Sequence, residues 1–192
     1  MILNLSDSFL QLRTITNDDE EMLCRIYSST RMEELAQLTG WTLNQKETFL
    51  RSQFKAQHNY YQNNYIGAHF WVIEFKSQII GRLYLHTHYE ASSMRIIDIS
   101  ILPKWRNRGI GKGLLMDVME LAKRMNRSVT IHVECFNPAM KLYQNLGVEL
   151  VSKTNGIYHL LEWKTNRQNS QQNILFNQSA TNGSSITAFN SL

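Results

Sequence analysis

Ile110, Leu114, Leu115, Val118, Leu121, Ala122 and Met125 fall on one face of a helix almost without interruption. A stripe that wide needs an apolar surface to lie on, and strand-like runs stand on both sides of it. "MRIIDISIL" (94–102) precedes it and is stopped by Pro103, and "SVTIHVE" (128–134) follows it. A helix held between two strands implies a sheet with helices packed on its faces.

The remaining elements extend that pattern. "FLQLRTIT" (9–16) alternates as a first strand. "NDDEEMLCRIYSS" (17–29) reads as a helix with Asn17 able to cap and acids in its first turn. Thr42 and Gln45 have capping-box spacing ahead of a second helix, with Leu43, Phe49, Leu50, Phe54 and Tyr61 at roughly helical period. "HFWVIEF" (69–75) and "IIGRLYLHT" (79–87) form a predicted hairpin across Lys76-Ser77-Gln78, and "HYEASS" connects it to the strand at 94–102. Asn137-Pro138 starts a further helix that Gly147 stops. "VELVSK" and "IYHLLEW" flank an Asn155-Gly156 turn. The predicted order is β-α-α-β-β-β-α-β-α-β-β, a mixed α/β sheet of about seven strands with about four helices. One domain spans 1–164. From 165 to 192 the chain is rich in Asn, Gln and Ser, with Arg167 its only charge, and is expected to form a flexible tail.

Between the strand at 94–102 and its helix lies "PKWRNRGIGKGLL" (103–115), which holds three of the chain's nine glycines. A nucleotide P-loop would need glycine where Arg106 stands and a hydroxyl residue where Gly113 stands. A dinucleotide fingerprint would need Gly-x-Gly-x-x-Gly, whereas Gly109, Gly111 and Gly113 alternate. Both motifs fail. What remains is a helix N-terminus with free N–H groups, an approach cleared by glycines, and the charges of Arg106, Arg108 and Lys112, which together suit a phosphate.

With those residues in view, Arg106-Asn107-Arg108-Gly109-Ile110-Gly111 resembles the Arg/Gln-x-x-Gly-x-Gly/Ala pyrophosphate loop of the GNAT N-acyltransferases. "HVECFNPAMKLYQNLGV" (132–148) resembles that family's next strand and helix, with the Asn-Pro-Ala start and the Leu-Tyr-x-x-Leu-Gly end. The resemblance covers about residues 9–163 and is weakest in the first two helices. It implies an acetyltransferase of GNAT fold using acetyl-CoA as co-substrate and an amine-bearing acceptor, a small molecule or a protein amine. It also implies that two central strands splay apart. The backbone of Asn107, Arg108, Gly109, Ile110, Gly111, Lys112 and Gly113, with Arg106, would hold the pyrophosphate. Ile99, Ser100 and Ile101 would pair with the pantetheine arm, and Asn137 would cap its helix and touch the cofactor. Tyr143 would protonate the leaving thiolate. Dimers are common in that superfamily.

The base is left open. Asp98 and Glu134 are the leading candidates, with His132 on the same strand face as Glu134, and Glu74, His86 and His88 on the hairpin. His86 and His88 stand at i,i+2 but show no third ligand, so no metal is expected. Arg31, Glu33, Glu34, Trp41, Tyr60, Tyr61 and Tyr65 are candidate acceptor-lining residues, with the tip at 154–158.

The formal charge of +4 suits a polyanionic partner. No second Lys/Arg cluster accompanies the loop, which favours a phosphorylated cofactor over nucleic acid. Two cysteines make no disulfide framework, and no apolar stretch reaches membrane-spanning length. With no leader-like start, a cytoplasmic protein is expected.

Overall fold

A computed structural model describes residues 3–165. Its elements are β1 (Leu10–Thr14), α1 (Glu20–Ala36), α2 (Leu43–Asn64), β2 (His69–Phe75), β3 (Gln78–Glu90), β4 (Ser93–Ile101), α3 (Ile110–Met125), β5 (Ser128–Glu134), α4 (Met140–Asn145), β6 (Glu149–Thr154) and β7 (Tyr158–Trp163), with single 3-10 turns at Asn17–Asp19 and Pro103–Trp105. The seven strands form one sheet in the order β1-β2-β3-β4-β5-β7-β6. Every neighbouring pair is antiparallel except β4 with β5.

The sheet is covered on both faces. The α3 stripe buries Leu114, Val118 and Leu121 with Leu83, Leu85, Met94 and Ile96. On the other face Leu23 and Ile26 of α1 and Leu50 and Phe54 of α2 pack over Val72. Tight turns behave as their residues dictate: Lys76 and Ser77 both take positive φ, as do Asn155 and Gly156.

Several boundaries differ from the sequence expectation. The 3-10 turn that leads into α1 is capped reciprocally by Thr16 and Asp19, and Asn17 is its first residue rather than a cap. The helix runs on to Ala36, seven residues beyond 29. The connection expected at 88–93 shrinks to residues 91–92, because β3 and β4 continue pairing to Glu90↔Ser93. The polar tail lies outside the described residues, apart from Thr165.

The segment joining β1 to α1 is held by charge. Arg13 donates to both carboxylate oxygens of Asp19, at 2.8 and 2.9 Å, and the Thr16 N–H donates to the same group at 2.7 Å. The Arg13 hydrogen bond, helped by Thr16, holds the Asp19 carboxyl down at about 2. A depressed carboxyl stabilises the fold above its unfolded value near ~3.9, and that contribution is lost as pH falls through the folded value. Asp19→Asn is therefore expected to cost on the order of 2 kcal/mol at pH 7. The gap from wild type should close between about pH 4 and pH 2, as followed by urea midpoints.

Candidate active site

β4 and β5 pair over a short stretch, from Ser93↔Ser128 to Ile96↔Ile131, and then part. Ile97 is the cause on one side: β3 pairs Leu85 with Ile96 but Tyr84 with Asp98, so Ile97 is an extra residue that bends β4 away. Beyond it, residues 97–101 have no strand neighbour on the side facing β5. Apart from the Ile101 carbonyl, which Arg106 occupies, the N–H and C=O groups on that edge face no strand and can meet a ligand with amides of its own. Ile99, Ser100 and Ile101 lie on this edge, half-buried.

The wide end of the opening meets the glycine loop. Asn107 and Gly109 both take positive φ, at 58° and 81°, and Gly109 caps α3, so glycine suits position 109 for conformational reasons. Gly111 and Gly113 are different. A Cβ at Gly111 would meet only the Ile101 side chain at 3.5 Å, and one at Gly113 would meet nothing within 4 Å. The fold itself leaves room for side chains there, so packing within the chain does not require glycine at either position. Ile110 begins the helix with its side chain buried, while Lys112 is exposed. Arg106 does not extend toward that space. Its guanidinium donates to the Ile101 carbonyl at 2.7 Å and to that of Ser29 at 3.3 Å, bracing the loop against β4 and α1. Arg108 lies over the Trp105 ring at 5.1 Å. Gly111→Val is expected to leave the fold intact and weaken a phosphate-bearing ligand by about 10- to 100-fold, by screening the helix amides. Titration calorimetry beside a urea melt checks both halves.

The narrow end is polar on the α1/α2 face. Arg82, only 2% exposed at its side chain, donates to both oxygens of Asp98 at 3.0 and 2.7 Å and to Gln57 of α2 at 2.9 Å. Ser100 donates to the same carboxylate at 2.8 Å. Glu134 accepts from Arg31 of α1 at 2.9 Å, and Arg31 also reaches Glu34 at 3.1 Å. His132 accepts at Nδ1 from Arg95, with 2.6 Å between the nitrogens. Burial, and then Arg95, lower the tendency of this imidazole to protonate. With its one lone pair taken, neutral His132 offers only an N–H donor, which removes it from the bases.

Tyr143 approaches from the opposite side. It sits on α4, 4% exposed within the α3 core. Burial, and secondarily the Asp98 carboxylate, push its hydroxyl's titration well above the usual range. Its hydroxyl therefore keeps its proton at neutral pH. The helix starts at Met140, not at Pro138, but Asn137 still accepts from the Ala139 N–H at 2.8 Å and shapes the turn before it.

Other expected residues lie elsewhere or are engaged. Glu74 is paired with Arg13 at 2.9 Å. His86 accepts from the His88 N–H at Nδ1 and bonds the Ile66 carbonyl through Nε2, so it keeps no lone pair for a metal. Among the described residues no group of three His, Cys, Asp or Glu could hold an ion, and no helix is long and apolar enough to cross a membrane. Tyr61 packs edge-on to buried Tyr84 at 6.1 Å, whereas Trp41 packs edge-on to Phe49 at the surface. The Glu33 side chain lies outside what is described. Sequence reading missed Arg82 and Arg95. The one signal for them was a charge inside "IIGRLYLHT" and "MRIIDISIL", at positions that look solvent-facing.

Comparison with known proteins bears on this arrangement. The family model of the acetyltransferase (GNAT) family matches residues 31–148. No curated protein matches. Among solved structures, the PaiA N-acetyltransferase of Thermoplasma acidophilum in complex with coenzyme A superposes with a TM-score of 0.60 at 17% identity, over 81% of this chain and 99% of that one. An acetyltransferase of Thermus thermophilus gives 0.58 at 17% identity over 81% and 97%. A GNAT family acetyltransferase of Elizabethkingia anophelis with acetyl-CoA bound gives 0.54 at 17% identity over 83% and 100%. At such identities the structures attest the shared fold, and the family match over more than half of the sequence attests descent. The chain belongs to the GNAT acetyltransferase family and is an acyltransferase.

Proposed function

We propose that this protein transfers the acetyl group of acetyl-CoA to a primary amine by direct attack in a ternary complex. The observation that carries this is the opening between β4 and β5, with the glycine loop and the N-terminus of α3 at its wide end. Acetyl-CoA, when bound, supplies an activated acyl carbon and a thiol leaving group. The chain's own residues do the rest. Loop amides of 107–113 hold the diphosphate charge against the α3 N-terminus. The open edge at 99–101 orients the pantetheine arm through backbone hydrogen bonds, and Asn137 shapes the turn flanking it. The Tyr143 hydroxyl donates its proton at the sulfur as the carbon–sulfur bond breaks.

The acceptor must lose a proton too. An alkylamine near ~10.4 costs about 4–5 kcal/mol to neutralise at pH 7. Of the two carboxylates named from the sequence, Asp98 has both oxygens engaged by Arg82 and Ser100. Glu134 is held at Oε1 only, so it is the better placed to accept a proton, directly or through water. Since both carboxylates are tied to arginines, a non-catalytic acyl-CoA-binding module is the second reading. A thiol-release assay with acetyl-CoA across amine classes separates the two. Acceptor-dependent thiol release with an N-acetylated product of added acetyl mass supports transfer, and saturable acetyl-CoA binding without acceptor-dependent release supports the module. The unpaired cysteines Cys24 and Cys135 favour a cytoplasmic setting.

A further inference from the structure

Three arginines ring the α1/α2 face of the splayed strands, and one is unlike the others. Arg31 has Glu134 and Glu34, and Arg82 has Asp98. Arg95, in β4 next to the last paired residue Ile96, is only 6% exposed yet carries no ion pair among the described residues. Its Nη1 donates to the neutral ring of His132, its Nε is buried without a partner, and its planar group lies over the Tyr89 ring at 4.5 Å. Tyr65 packs beside Tyr89 at 6.1 Å, which lowers the polarity around the charge further. A buried guanidinium without an anion is a costly arrangement, and its neighbours have solved the same problem with carboxylates.

Its position gives the missing anion a source. Arg95 reaches forward across the β4–β5 gap to His132, two residues past its own strand partner Thr130. That places the cation over the apex where the strands part, roughly 7 Å along β4 from the bulge at Ile97. We infer that Arg95 binds a carboxylate of the acceptor, so that the substrate is a small amino-acid-type molecule whose amine and carboxylate lie close together. This rests on the acetyl-transfer reading above. A guanidinium–carboxylate contact at a side chain as buried as Arg95 discriminates strongly against an uncharged amide.

The test uses matched acceptors: an amino acid, its carboxamide and its decarboxylated amine, with acetyl-CoA saturating and thiol release as the readout. Wild-type protein should use the acid with a kcat/KM about 10²-fold above either analogue. Arg95→Gln should lower the acid's kcat/KM about 10²-fold and bring the acid-to-amide ratio close to one. Arg95→Lys should keep part of the preference, and acetyl-CoA affinity by calorimetry should match wild type in both variants, which excludes misfolding. The inference is overturned if wild type uses amides as well as acids, if Arg95→Gln keeps the preference, or if no acid in the series reacts with or binds to the CoA-loaded protein. Failure of wild type to bind acetyl-CoA overturns the transfer reading itself, and this inference with it.

Discussion

Tyr143→Phe is expected to lower kcat by about 10²- to 10⁴-fold, the usual contribution of a positioned proton donor. The affinity for acetyl-CoA should change little. The substitution removes one oxygen and keeps the ring that fills the space between α4 and the α3 core, so folding is preserved. The hydroxyl's titration is raised by burial, which keeps it in the proton-bearing form throughout the neutral range. A thiol of ordinary acidity leaves unaided at a slow rate, so residual turnover is expected rather than none. Steady-state kinetics with direct binding measurement separates the two quantities. Unchanged turnover with a good acceptor would remove Tyr143 from the proton-donor role and leave the rest of the site standing.

Asp98→Ala should destabilise the protein by about 3–5 kcal/mol, the cost typical of stranding one partner of a buried ion pair. Arg82 is all but inaccessible, and without Asp98 its charge would face only Gln57 and the ring of Tyr84 at 5.2 Å. The paired replacement Arg82→Met with Asp98→Leu should recover much of the loss, since it removes both charges together. Urea unfolding of the single and double variants reads the difference. A loss below about 1 kcal/mol for Asp98→Ala would mean that water reaches the guanidinium and relieves it.

The parts of the fold that repeat a local rule were legible in the sequence. The Ile110–Met125 stripe, the Thr42–Gln45 capping box and the Asn155-Gly156 turn each need only neighbouring residues, and each stands where its pattern places it. What depends on distant partners was not legible. The extra residue Ile97 is defined only by the pairing of β4 with β3, and the splay that makes the opening follows from it. The cap of the 3-10 turn leading into α1 is held by Arg13, six positions before Asp19 and on another element. Arg82 and Arg95 alternate with apolar residues and look like solvent-facing strand positions. Their burial comes from α2 and from Tyr89, which no local pattern announces. The positions of the glycine loop and of the helix bearing Leu142-Tyr143 were readable from Gly109 and Gly147 at their ends, while their roles came only from the resemblance to the GNAT family. The partners of Asp98 and Glu134, which bear directly on the proton acceptor, required the three-dimensional arrangement.

The proposed function requires that the opening between β4 and β5 hold acetyl-CoA with its diphosphate on the loop at 107–113. Titration calorimetry of acetyl-CoA into the wild-type protein at neutral pH tests it most directly. Saturable binding at one site per chain is expected, weakened by rising salt and by Gly111→Val. No saturable heat at millimolar ligand, from protein that unfolds cooperatively, would contradict it.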